Sequence, residues 1–517
     1  MKHKNLLIFA LCSLAFFAAS CSLDYDPVDT YSDVTEGIST DSETIVFKDK
    51  AAVVSYRTTI HDRYRDRQEH WYLDMLLLNE SHADNAYAGS PNSETTPFEV
   101  NSIEGSNTNL LRDWTRYMED VGVVNLFINN IDACPDAALT DAERAQYKAE
   151  ALIFRSMIYF DMARIWGNVP LITTTAGDIT SETVADVYDS YFPPQTSELE
   201  VYQQIETDLL EAVLYAPDNN PNDKTQFSKT LARTLLTKIY AEKPLRDYDK
   251  VISYCEAVGA DGIDLENDFS TLFGVELNDP SNPVGQDNPA IAPITRNSKE
   301  VIYEAQYFTG AGNWLSWMFG RTLENWTFYF EWAKWITPSR DLLKAFQDEG
   351  DTKRLNETVV WYDCGWSIYY PANNYPFMYK YRSGYNNMIK YRYADLLLLK
   401  AEALIMKDSP DLPGAASIIN RIRQRAGLGN LPASATANKE ALLNAYLKER
   451  RLELALEGER WFDLVRLDKV EEVMNAVYAK DSGRPAQRYP FTQNSYKLPI
   501  PQTVIDQNPN LVQNPGY

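Results

Sequence analysis

Two blocks of capped helical segments, separated by a stretch without helical periodicity, constrain the fold of this chain more than any other feature. Thr140 and Glu143 have the spacing of a capping box, which satisfies backbone N–H groups that a helix start leaves without partners. They precede Arg144 to Trp166, where Tyr147, Ala151, Phe154, Ile158 and Ile165 recur near helical spacing until Gly167 and Pro170 end the run. Ser197 and Glu200 repeat the device ahead of Tyr202, Ile205, Leu209 and Val213, with Pro217 as the stop. Ser228 caps a helix through Leu231, Leu235 and Ile239 towards Pro244, and Tyr248 to Val258 supplies another. The second block predicts helices at Tyr391 to Met406, at Pro413 to Arg425 ended by Gly427, at Lys439 to Glu457 ended by Gly458, and at Trp461 to Leu467. Short turns between helices of this length imply antiparallel pairs and a mainly α fold.

Paired helices of this kind resemble tetratricopeptide-like hairpins, whose repeat is about 34 residues, although no clean repeat consensus is present. Between about 263 and 390 the character changes, and the loops 278–289 and 371–376 are dense in Asn, Asp, Pro and Gly. Trp314, Trp317, Trp326, Trp332, Trp335, Trp361 and Trp366 all fall here, seven of the chain's 11 tryptophans within 53 residues, where an even spread would place about one. Seven tyrosines between Tyr362 and Tyr385 extend the cluster. At roughly 150 residues per domain, 517 residues suggest about three domains. Helix pairs at both ends point instead to one domain, 45–517, with a loop-rich, aromatic-rich insertion at about 263–390.

The N-terminus gives an address. Lys2, His3 and Lys4, an apolar stretch from Leu6 to Ala19, and small residues at 18–20 read as an export signal, too short to span a bilayer. Ala18-Ala19-Ser20-Cys21 resembles a bacterial lipobox, which makes Cys21 the acylated first residue of the mature protein. Residues 1–20 are then the signal peptide. The Asp/Ser/Thr-rich segment 21–44 is a flexible tether, and Asp24 and Asp26 resemble a surface-export signal. Cys134, Cys255 and Cys364 are widely spaced and odd in number, so they read as packed thiols and not as a disulfide framework. A formal charge of −24 and a pI near 4.7 exclude a general nucleic-acid binder, whose affinity rests on neutralising phosphates.

The motifs carry a family resemblance. KAEALIFRSMIYFDMARIWGNVPL at 148–171, Arg392-Tyr393-Ala394-Asp395 with Ala401-Glu402-Ala403, and Ile419-Asn420-Arg421-Ile422-Arg423 with Arg425-Ala426-Gly427 occur in order. Glu449 to Leu454, Glu457-Gly458, Arg460 to Leu464, Pro499-Ile500-Pro501 and the ending Gln513 to Tyr517 follow. This series resembles the SusD/RagB family, the cell-surface nutrient-binding lipoproteins of Bacteroidetes. The resemblance implies a SusD-like α-α superhelix with a variable region, an outer-membrane lipid anchor, and a SusC-like TonB-dependent transporter as partner, to which captured oligosaccharide is delivered. The Arg and Glu residues of these motifs read as buried or half-buried ion pairs that lock helix hairpins, not as catalytic groups.

Enzymatic signatures are missing: there is no G-x-S-x-G elbow, phosphate loop, H-E-x-x-H pair or Rossmann fingerprint. His61, His70 and His82 are not spaced for a zinc site, and His61 and His70 read as lying on a solvated helix face. The loops 218–223 and 278–287 offer oxygen ligands of the kind calcium takes but lack EF-hand spacing, so they read as turns, and no cofactor is indicated.

Binding is the better-supported chemistry. Sugar C–H faces stack on Trp and Tyr while their hydroxyls need a few fixed polar groups. Trp314, Trp317, Trp326 and Trp366, in loop-like surroundings near Gly or Asn, with Arg382, are the candidate ligand contacts. Asp84, Asn85 and Tyr87, on a loop after the apolar run Leu73 to Leu78, form a second candidate group. Trp332 and Trp335 read as core, and Trp166 and Trp461 as helix packing. The reading is a non-enzymatic glycan-binding lipoprotein; the alternatives are an oligopeptide-binding RagB-type protein and a surface glycoside hydrolase.

Overall fold

The computed structural model describes residues 46–89, 92–175, 188, 190–273, 295–308, 311–318, 334–382 and 384–517, the side chains of Ser316 and Trp317 excepted. The principal helices are α1 (Lys50–Asp66), α2 (Thr108–Asn130), α3 (Asp141–Trp166), α4 (Glu198–Tyr215), α5 (Lys229–Ala241), α6 (Tyr248–Ala260), α7 (Arg340–Glu349), α8 (Thr352–Thr358), α9 (Tyr393–Met406), α10 (Leu412–Arg425), α11 (Lys439–Glu453), α12 (Arg460–Arg466) and α13 (Val470–Lys480). Among the described residues the strands are short: β1 (Ala86–Ala88), β2 (Val301–Ala305), β3 (Ile336–Pro338), β4 (Val359–Tyr362), β5 (Tyr375–Met378) and β6 (Met388–Arg392). They pair antiparallel as β1–β3, β2–β6 and β4–β5. The molecule is mainly helical.

Both expected capping boxes form. The hydroxyls of Thr140 and Ser197 accept the N–H groups of Glu143 and Glu200, whose carboxylates accept in return. Helix α3 ends at Gly167, whose φ of 77° is left-handed backbone that a side chain would disfavour. From Ala149 to Trp166 every residue of α3 is buried, which makes it the central rod of the core. It packs on α4, α4 on α5, α5 on α6, and α6 on α9, which pairs in turn with α10 and α11. One continuous apolar cluster runs from Phe47 to Leu511 and includes Trp166 and Trp461. Cys134, Cys255 and Cys364 are buried, as packed thiols should be.

The structure departs from the sequence reading in three places. Helix α11 stops at Glu453, four residues before the expected end, because Leu456 (φ 62°) and Gly458 (φ 84°) turn the chain into α12. Helices α7 and α8 lie inside the stretch read as loop; α7 is short, capped by Ser339 and closed by left-handed Gly350. His70 is buried, with Nε2 3.2 Å from Asp120 Oδ2, so it does not sit on a solvated face. Arg63 and Arg67 converge on the same carboxylate, which draws this polar helix segment inward. The signal peptide, Cys21 and the tether lie outside the described residues, as do 278–287 and Trp332.

The charged residues of the motifs occupy the interior. Arg392 donates to Glu300, Glu453 and Glu457 at 2.6–2.9 Å. Arg450 bridges Asp395 and Asp463, each at 2.6 Å, and Arg466 meets Glu402 at 2.8 Å. These pairs tie β6 and α9 to α11 and α12 across long sequence separations. A charge buried without its partner would cost several kcal/mol, so the network fixes which helix faces meet.

Candidate functional site

Strand β4 packs Val360 and Tyr362 against the cluster of Cys364, Tyr375 and Phe377, and by the two-residue alternation of a strand Trp361, between them, turns to the opposite face, where it is 39% exposed. Trp361 stands edge-on to Tyr370 at 5.9 Å, Tyr370 edge-on to Tyr375 at 6.3 Å, and Tyr375 against Phe377 at 4.7 Å. The inner rings of this ladder are held. Tyr370 donates its hydroxyl to the Pro338 carbonyl at 2.8 Å under the Arg340 guanidinium, and the Lys334 ammonium lies 4.1 Å from the Trp366 ring and 4.7 Å from Tyr375. Ile368, between Trp366 and Tyr370 in the chain, is 54% exposed. The result is a platform whose outer indole is backed by rings that cannot move aside.

Two further exposed rings are Phe308 and Trp314, 54% and 43% exposed. Arg296 lies 4.3 Å over Phe308. The Trp314 backbone N–H donates to Gln68 Oε1 at 2.8 Å, and Asn313 N–H to the Gly384 carbonyl at 2.6 Å. The loop is therefore anchored on both sides while its indole faces solvent. Stacked aromatic platforms with adjacent polar groups suit ligands that have apolar faces and hydroxyl edges.

Beneath the first platform, Glu99 Oε2 accepts the Tyr369 hydroxyl at 2.6 Å and the Ala88 N–H at 2.9 Å. Burial pushes this carboxyl up to about 7, against the pull of Arg484 and these hydrogen bonds. Tyr369 stacks on Tyr87 at 4.4 Å, so the platform rests on the β1–β3 sheet.

Of the expected contacts, Trp314 is exposed and Trp366 half-buried. Trp326 and the Trp317 side chain lie outside the described residues. Trp335, read as core, is half-buried against it. Asp84, Asn85, Tyr87 and Arg382 require correction, because all four are buried and their polar atoms are committed within the protein. Arg460 forks onto Asp84 at 2.7 and 2.9 Å, and Arg451 lies 3.3 Å from it. Although burial opposes it, these guanidiniums hold the Asp84 carboxyl well below the usual range. Asn85 donates to Glu80 and accepts from Arg451, and the Tyr87 hydroxyl donates to Asp481. Arg382 binds Glu357 at 2.8 Å and the Tyr379 carbonyl at 2.8 Å. The 80–87 segment is polar in sequence yet interior, since α11, α12 and α13 bring complementary groups to it. Trp361 and Phe308 were not among the expected contacts; Val359-Val360-Trp361-Tyr362 is apolar throughout, so no sequence pattern marks Trp361 as the exposed ring.

A model of the SusD family matches residues 323–517, and a second, described as starch-binding and associating with the outer membrane, matches 30–241. SusD-like protein P38 of Formosa agariphila is 26% identical over 503 residues, covering 90% of this chain and 91% of that protein. A solved structure titled laminarin-binding SusD-like protein aligns with a TM-score of 0.67 at 21% identity, over 91% of this chain and 100% of the other. Surface glycan-binding protein A from Bacteroides fluxus aligns with a TM-score of 0.69 at 18% identity, over 90% and 99%. Two family models that together take in most of the chain, a relative alike along nearly its whole length, and the buried Arg–Glu motifs in family order lead to one assignment: the chain belongs to the SusD/RagB family.

Proposed function

We propose that this protein binds oligosaccharides of a complex glycan at the cell surface, without catalysis, and passes them to a SusC-like TonB-dependent transporter. The exposed Trp361 and Trp314 rings, each on a rigidly anchored segment, carry the reading. It is supported by relatives whose names state laminarin or glycan binding, and by a family model described as starch-binding. Among the described residues no helix is long and apolar enough to cross a membrane; in this proposal acylated Cys21 supplies the outer-membrane attachment.

Affinity electrophoresis and calorimetry against a panel that includes laminarin and starch test the binding. Trp314→Ala with Trp361→Ala should weaken it at least about tenfold and leave the melting temperature within about 1 °C, since exposed rings contribute little to the core. Absence of binding to every polysaccharide refutes the proposal. Capture of peptides alone would establish the oligopeptide alternative, and release of reducing ends the hydrolase.

A further inference from the structure

A cleft of about 410 Å³ opens between the 101–105 loop, the 489–495 segment and residues 502–517, and none of its lining belongs to the aromatic platforms. Its walls are fixed by amide clamps. Ile500 donates its N–H to Gln513 Oε1 at 2.8 Å and receives Gln513 Nε2 at 2.9 Å, while Asn514 Nδ2 donates to the carbonyls of Trp166 and Leu498. Asn101 holds the opposite wall by donating to the carbonyls of Tyr489 and Pro490. Gly516, at φ 101°, passes so close to Asn494 that a Cβ there would lie 2.9 Å from the Asn494 Cβ. The cleft is thus built into the fold.

Its surface has a distinct chemistry. Tyr489 and Tyr517 are 55% and 41% exposed, and the Ser102 hydroxyl and Asn494 amide have no protein partner among the described residues. Glu104 is the sole charged side chain of the lining, on a chain with a formal charge of −24. Exposed rings beside uncommitted, uncharged donors and acceptors suit a neutral, hydroxyl-rich ligand, and Glu104 disfavours an anion.

We infer that this cleft is a second binding site, for a neutral oligosaccharide, separate from the aromatic platforms. The ligand class rests on the proposed function; the location does not. Hydroxyl-radical footprinting of the full-length protein with saturating maltoheptaose, laminarihexaose, xylohexaose and mannohexaose tests it. With at least one probe, the reactivity of Tyr489 and Tyr517 should fall at least about twofold. Tyr489→Ala with Asn494→Ala should weaken binding of that probe by about tenfold in the Trp314→Ala, Trp361→Ala background, the size of one lost stacking contact. Protection of Trp314 and Trp361 without the tyrosines overturns the cleft and leaves the proposed function standing. Protection of the tyrosines alone supports the cleft and removes the platforms from the binding reading. If no probe protects any of the four rings, both fall.

Discussion

Replacing Glu453 by glutamine removes one charge from the centre of the buried network without changing the volume of the side chain. Glu453 is fully buried; Oε1 accepts from Arg392 at 2.6 Å and from Arg425, and Oε2 from Arg354 at 3.0 Å. Hydrogen bonds to charged groups contribute about 1.5–3 kcal/mol each, so three of them set an upper bound near 9 kcal/mol. The actual loss is smaller because the guanidiniums keep other carboxylates: Arg392 keeps Glu300 and Glu457, Arg425 keeps Glu300, and Arg354 keeps Asp351 and Glu449. The glutamine NH₂ also points donors at donors, so a cost of about 3–5 kcal/mol is expected, as for other broken buried pairs. A chain of this size has an unfolding entropy of about 1 kcal/mol/K, so the melting temperature should fall by only about 3–5 °C. Differential scanning calorimetry at pH 7 can resolve that, with exposed Glu211→Gln as the control expected to stay within about 1 °C. The paired guanidiniums hold the Glu453 carboxyl far below its usual value despite its burial. Its contribution is therefore present above the unfolded carboxylate range and lost as pH falls below it, so the difference between Glu453→Gln and wild type should narrow below about pH 4.5. A variant that melts with the wild type at pH 7, or a difference that widens in acid, would refute the reasoning.

Three further outcomes are expected. Burial pushes the Glu99 carboxyl up to about 7 from the ordinary glutamate value of 4.5, so stability falls as pH rises from about 4.5 to 7; Glu99→Gln should be up to about 3 kcal/mol more stable than wild type at pH 8 and equal to it near pH 4, as measured by denaturant unfolding. Asp84→Asn breaks the fork from Arg460 and should lower the melting temperature by about 3–5 °C while leaving glycan affinity unchanged; an affinity loss in a fully folded variant would return Asp84 to the binding site. Cys21→Ala should shift the protein from membrane to soluble fractions, and continued pelleting would rule out the lipid anchor.

The sequence by itself determined the helix-pair scaffold and much of its charge chemistry. Capping boxes, glycine stops and helical periodicity are local, so Thr140–Glu143 and Ser197–Glu200 place α3 and α4 to within a few residues. Arg450, Glu453 and Arg460 sit among apolar residues, a context that already requires partners. Ser339 and Gly350 bracket α7 as clearly as any cap, yet ten residues are too few for periodicity to assert itself against the surrounding loops. Only the tertiary structure decided which polar residues are interior. Glu80-Ser81-His82-Ala83-Asp84-Asn85 reads as a solvent loop until Arg451 and Arg460, more than 360 residues away, arrive to neutralise it. Exposure of an aromatic ring likewise depends on what packs against it from elsewhere: Tyr375 follows polar Asn373-Asn374 and Trp361 follows apolar Val359-Val360, yet β3 and Lys334 cover the first while the second is open to solvent.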